Sequence, residues 1–208
     1  MIQDLAGTRE RYLEGWHSVI FSDEKKFNLH GPDGNQFYWH DLRKEEEYFS
    51  KRPSGGGSVM IWAAFGYNHK TQIVLVKGLQ KSEDYINVMR NHLLPNAENL
   101  AGENWIFKQD NASIHVSKYS KKWFSDQTIN LLDWPSKISD LNPIENLWGI
   151  LVRKVYSNGR QFHSVAELKK EILKCWDEIR LETTQNLIDS MNQRIIQILI
   201  KNGKFIGY

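Results

Sequence analysis

The chain has 208 residues, 40% hydrophobic and 25% charged, with a formal net charge of +2, which excludes a disordered chain and suits one sizeable domain. The lone cysteine, Cys175, excludes an internal disulfide and reads as a small core or boundary residue, in keeping with a reducing compartment. There is no run of about 18 apolar residues to span a membrane and no apolar segment of a secretory signal in residues 1–16; the mild basicity permits nucleic-acid binding without arguing for it, because clustering decides.

In chain order, 17–29 (HSVIFSDEKKFNL) reads as a strand whose buried run Val19, Ile20, Phe21 ends at Asp23. Residues 30–58 mix Gly-Pro, Asp-Gly and a glycine triplet with aromatics and charges. A loop that long is usually functional or mobile. Residues 59–66 and 71–78 read as two strands joined by YNHK into a hairpin. A helix is predicted over 82–100, with Ser82 as N-cap and Tyr85, Ile86, Met89, Leu93 and Leu94 as its apolar stripe. Then come a strand at 104–111, a helix at 116–124 and a fifth strand at 128–135, stopped by Pro135. Helices at 143–156, 164–180 (Ser164 as cap, Glu167 three residues on) and 185–201 complete the chain. This order predicts an α/β fold: a mixed sheet of five strands, the first three antiparallel and the last two parallel, with helices on both faces.

Three acids stand at or beside the ends of buried elements: Asp23, Asp110 and Glu145. Each has a second reading. Asp23 competes with Glu24, or is a solvated strand end. Asp110 in QDNASIH also suits an Asx-type turn, and His115 there reads as a surface residue at a helix start rather than a ligand. Glu145, with Asn142 as N-cap and Pro143 at the first helical position, could complete a capping box. It also edges the buried stripe of Ile144, Leu147, Trp148, Leu151, Val152 and Val155. As a set, three converging carboxylates repel one another and call for a cation. Oxygen-only donors suit Mg²⁺ or Mn²⁺, and two such ions about 3.5–4 Å apart can clamp an in-line phosphoryl transfer.

The stretches FSDEKKF, QDNASIH and DWPSKISDLNPIENLWGIL, with a glycine triplet before VMIW, resemble the catalytic domain of the Tc/mariner superfamily of DNA transposases. The 34 residues between Asp110 and Glu145, and a glutamate as third acid, resemble the Tc branch, nearest the nematode elements. The likeness implies a ribonuclease H-like fold over the whole chain as one catalytic domain. It implies Asp23, Asp110 and Glu145 as a DDE triad holding two Mg²⁺ per site, with Mn²⁺ able to substitute. Asp23 would bridge both ions, and Asp110 and Glu145 would hold one each. It further implies hydrolysis at transposon ends, then attack of the freed 3′-hydroxyl on a TA target. The enzyme would act in the nucleus as a homodimer assembled on DNA. Residues 30–58 match a clamp-like insertion toward the partner subunit, with Phe37, Tyr38, Trp39, Tyr48 and Phe49 as candidate anchors. The sequence departs from the family at Ser113 and Ser139, where proline is usual. The stretch before Asp23 leaves no room for the family's N-terminal helix-turn-helix units. A domesticated or truncated copy that binds DNA or protein without catalysis is the alternative, and another ribonuclease H-like nuclease is a third reading.

Lys25, Lys26 and Lys118, together with Lys121 and Lys122, are the basic residues nearest the acids. They are candidates for phosphate contacts that carry no sequence preference and weaken with salt.

Overall fold

The computed structural model describes residues 15–31, 57–134 and 141–200. Four strands form one sheet: β1 (Val19–Asn28), β2 (Ser58–Phe65), β3 (Val74–Val76) and β4 (Ile106–Lys108), in the order β3-β2-β1-β4. β1 pairs antiparallel with β2, and β2 with β3, as the hairpin reading predicts. β4 pairs parallel with β1, with Phe21 opposite Lys108.

The expected fifth strand at 128–135 is not formed as such. Its place is taken by one isolated parallel bridge, Phe107 to Leu131. Phe107 N–H donates to the Asn130 carbonyl and Leu132 N–H to the Phe107 carbonyl, both at 2.8 Å. The reason is the length of β4. Successive residues of a strand turn their backbone groups to opposite edges, so a three-residue strand bonded to β1 through its ends offers Phe107 alone to the next chain.

Period-2 alternation divides the sheet between two cores. Val19, Phe21 and Phe27 of β1 and Val59, Ile61, Ala63 and Phe65 of β2 face one. Ile20, Trp62 and Ala64 face the other. The second core is closed by α1 (Ser82–Val88), α2 (Ala97–Ala101) and α3 (Lys118–Asp126). The predicted helix over 82–100 is in fact composite. Lys81, not Ser82, is its N-cap, and the Asp84 carboxylate accepts the Lys81 N–H at 3.1 Å. A π turn (Met89–Leu93) and a 3-10 turn (Leu94–Asn96) separate α1 from α2. Pro95 in that break has no N–H to continue an α-helical ladder.

The first core is closed by α4 (Pro143–Val155), α5 (Val165–Asp177), α6 (Leu181–Asp189) and α7 (Met191–Ile200). The single helix expected at 185–201 is thus two helices broken at Ser190, whose hydroxyl donates to the Leu187 carbonyl at 2.6 Å. Ser164 caps α5 as predicted, accepting the Glu167 N–H at 3.1 Å, while the Glu167 carboxylate accepts from His163 N–H. Cys175 is buried and free, in the core position expected. No helix among the described residues is long and apolar enough to cross a membrane. The clamp candidates Phe37, Tyr38, Trp39, Tyr48 and Phe49, and Ser139, lie outside the described residues.

Candidate metal centre

Beyond Phe21, β1 carries Asp23 and Glu24 onto opposite faces of the sheet, and this decides between them. Asp23 faces α4, where the Trp148 indole N–H donates to its Oδ2 at 3.0 Å. Trp148 is fully buried and packs on Trp176 with ring centroids 5.7 Å apart. Trp176 is in turn anchored by its indole N–H to the Thr71 carbonyl at 2.8 Å. The donor on Asp23 therefore belongs to a rigid aromatic stack. Burial, then the nearby charges of Glu145 and Glu24, push the Asp23 carboxyl up to about 7 from 3.8, against the opposing Trp148 bond.

Glu24 turns the other way, toward α3. Its Oε1 lies 3.6 Å from Nε2 of His115, and both atoms are buried without a hydrogen-bond partner. His115 is not the surface residue its sequence context suggests. It is 3% exposed and packs on Tyr85 with centroids 4.1 Å apart. Its Nδ1 donates to Asp110 Oδ1 at 2.5 Å. Burial pulls His115 down, but the bond to Asp110 and the nearby carboxylate of Glu24 win and raise it from 6.5 to about 9.

Asp110 follows β4 by two residues. Its Oδ1 also accepts the Ala112 N–H at 2.9 Å, so the Asx-type turn is present. The helix cap itself is Ser117, which accepts from Ser120 N–H. The His115 bond above all lowers the Asp110 carboxyl from 3.8 to about 2, against partial burial. Both bonds fall on Oδ1, so Oδ2 accepts no hydrogen bond from the described residues.

Glu145 occupies the first turn of α4, where Asn142 caps with its side chain on Ile144 N–H at 3.4 Å. The capping-box reading is not met among the described residues: Glu145 bonds Asn142 through its own backbone N–H only. The side chain is exposed and opens onto a cleft of about 460 Å³, with Glu145, Gly149 and Val152 on one wall and Lys25, Lys26 and Met60 on the other. Of the remaining basic candidates, Lys118 and Lys121 are exposed on α3, and Lys122 is paired with Asp126 at 2.8 Å.

Asp23 and Glu145 thus share one electrostatic neighbourhood, and Asp110 joins it through Lys108 rather than directly. Lys108, 2% exposed, was an unremarked member of an apolar strand in the sequence. Burial pushes its ammonium down while Asp23, Asp110, Glu145 and Glu24 push it back up. The signal that could have found it is its position, a charged residue in an apolar strand two residues before Asp110.

The donor chemistry fits a hard divalent cation. It consists of carboxylate oxygens, Asp110 keeps one oxygen free of a hydrogen bond from the described residues, and the Asp23 carboxyl is raised by burial and by the neighbouring acids Glu145 and Glu24. Among the described residues no three acid, imidazole or thiol side chains stand close enough together to hold a metal as placed.

Residues 18–169 match the family described as DDE superfamily endonuclease. The Caenorhabditis elegans transposable element Tc3 transposase is 48% identical over 193 residues, covering 93% of this chain and 59% of that protein. The chain therefore spans a little under three fifths of that relative's length. The Mos1 transposase paired-end complex with left transposon end superposes with a TM-score of 0.80 at 18% identity, covering 98% of this chain and 61% of that one. The Mos1 mariner paired-end complex with Mn gives 0.78 at 18% identity, over 99% and 61%. At that identity the likeness establishes a shared mixed α/β, ribonuclease H-like fold.

Proposed function

The chain belongs to the DDE superfamily of endonucleases, and from that premise we propose that it is the catalytic domain of a DNA transposase, with Asp23, Asp110 and Glu145 as the acids that hold divalent metal. The observation that carries the reading is the placement of one half-buried carboxyl, Asp23, raised by burial and by the nearby Glu145, with Asp110 just beyond the end of the adjacent parallel strand. That is the end of a sheet at which ligand sites form.

Mg²⁺ or Mn²⁺ held there, two ions per site, would stabilise the charge that develops on a phosphodiester attacked by water or a 3′-hydroxyl. The protein's own part is to orient and to shield. Trp148 fixes Asp23 through Oδ2. His115 and Ala112 N–H fix Asp110 through Oδ1. The three supporting groups prevent the acids from rotating away, so less freedom is lost when an ion is taken up. Lys25 and Lys26 flank the cleft beside Glu145 and would bind DNA phosphates without sequence preference, and Lys118 and Lys121 on α3 would extend that contact. The substrates in this reading are transposon ends and a TA target in nuclear DNA, worked on by a homodimer assembled on DNA. Sequence identity of 48% to a Tc3 transposase supports transposon DNA as the substrate, and the TA target, the nuclear setting and the homodimer are extended from the family resemblance.

The test is a nicking assay with Mg²⁺ or Mn²⁺ on DNA bearing transposon ends, using the chain joined to a DNA-reading domain that binds those ends. Cleavage is expected for the native sequence and a loss of at least about 10³-fold for Asp110→Asn. Equal cleavage by the two proteins rejects the assignment.

A further inference from the structure

We propose that Lys108 is a resident counter-cation of the acidic cluster, a fixed positive charge that opposes entry of divalent metal and so sets the affinity of the site. The inference rests on the reading of Asp23, Asp110 and Glu145 as metal-holding acids. Its first support is register. Lys108 lies opposite Phe21 in the parallel pairing of β4 with β1. Asp23 is two residues further along β1, on the face that Phe21 shares, and Asp110 is two residues beyond Lys108. The strand pairing, locked further by the Ser22 hydroxyl bonded to the Lys108 carbonyl at 3.3 Å, holds the ammonium on the side of the sheet where Trp148 meets Asp23.

Its second support is the way the charge is housed. A lysine 2% exposed is rare unless something compensates it. Among the described residues no carboxylate oxygen lies within the 4.0 Å of an ion pair to its Nζ. The ammonium rests instead over the Trp134 ring, 5.1 Å from its centroid. It is therefore committed to no single acid and feels Asp23, Glu24, Asp110 and Glu145 together. Of the other buried cationic groups among the described residues, His115 is engaged with Asp110 and Glu24 on the opposite face, and Arg194 on α7 bonds Ser190 and Asn146. Lys108 is the buried cation that the strand register places on the face of the sheet carrying Asp23. Charges separated by a few ångströms of protein interact strongly, so an entering Mg²⁺ or Mn²⁺ meets acids already partly neutralised.

The experiment is a Mn²⁺ titration by calorimetry, at one pH and ionic strength, of the native chain, Lys108→Met, Lys108→Arg and Asp110→Asn. Lys108→Met removes the charge at nearly constant length and is expected to bind Mn²⁺ about tenfold more tightly. Lys108→Arg keeps the charge and is expected to stay within about twofold of native. A lysine that merely supported the fold would give the opposite result, because its loss would loosen the site. Unchanged or weaker Mn²⁺ binding by Lys108→Met, with native binding intact and Asp110→Asn defective, overturns the role of Lys108 while leaving the acids in place. Equal binding by native and Asp110→Asn instead overturns the metal assignment, and the competition with it. Should Lys108→Met fail to fold, Lys108→Gln gives the same charge removal with a polar end, and the same two outcomes decide.

Discussion

Replacing Asp23 by asparagine should stabilise the protein when no metal is present. In the folded chain this carboxyl is raised from 3.8 to about 7, chiefly by burial and by Glu145. An acid whose folded pKa is raised costs nothing below its unfolded pKa. The cost accumulates as pH climbs from about 4 to 7 and is complete above that. At 1.36 kcal/mol per pH unit, the full ionisation penalty is on the order of 4 kcal/mol. Local rearrangement and water entry reduce it to about 2 kcal/mol. Asparagine keeps an oxygen for the Trp148 indole N–H and removes the charge. In EDTA at pH 8, Asp23→Asn should therefore melt about 4–8 °C above the native chain. At pH 4 the two melting curves should coincide. Adding Mn²⁺ should raise the native melting temperature and leave that of Asp23→Asn unmoved. A variant that melts below the native chain in EDTA at pH 8 would show that the buried carboxylate is not under charge strain, and the reasoning would fail.

Two further expectations concern the support of the site. His115 is raised from 6.5 to about 9 by its bond to Asp110 and the nearby carboxylate of Glu24, so its stabilisation is complete below about pH 6.5 and fades as pH rises through about 9. Measured in the Asp23→Asn background, His115→Gln should flatten that decline, worth on the order of 1–2 kcal/mol because Asp110 is half exposed; an unchanged slope between pH 6.5 and 9 counts against the pairing. Gly66 tests the fold rather than the site. A Cβ there would lie 2.3 Å from the Leu100 carbonyl oxygen, so Gly66→Ala should lower stability by about 2–3 kcal/mol in chemical denaturation, and a neutral result would mean that α2 does not press on β2 as drawn.

Much of this was legible in the residues themselves. The apolar runs in VIFSDEKKF and VMIWAAF were legible as two strands, because an apolar run of that length between turn signals is a local property of the sequence. Asn142, Pro143 and the stripe from Ile144 to Val155 gave α4 to within a residue. The likeness of FSDEKKF, QDNASIH and DLNPIEN to transposase motifs pointed to the family that residues 18–169 match. What stayed hidden depends on contacts between distant segments. That Asp23 rather than Glu24 faces α4 depends on which face of β1 meets Trp148, 125 positions away in the chain. His115 is buried only because Tyr85 and Glu24 close over it. The fifth strand shrinks to one bridge because β4 is three residues long, a limit imposed by its pairing with β1 and not by residues 128–135. Lys108 enters the acidic cluster through register alone. Local chemistry determined which side chains this protein carries and what each stretch can form. Strand pairing, which couples positions far apart in the chain, decided which charges share a low-dielectric space, and the strength of every interaction at the site follows from that.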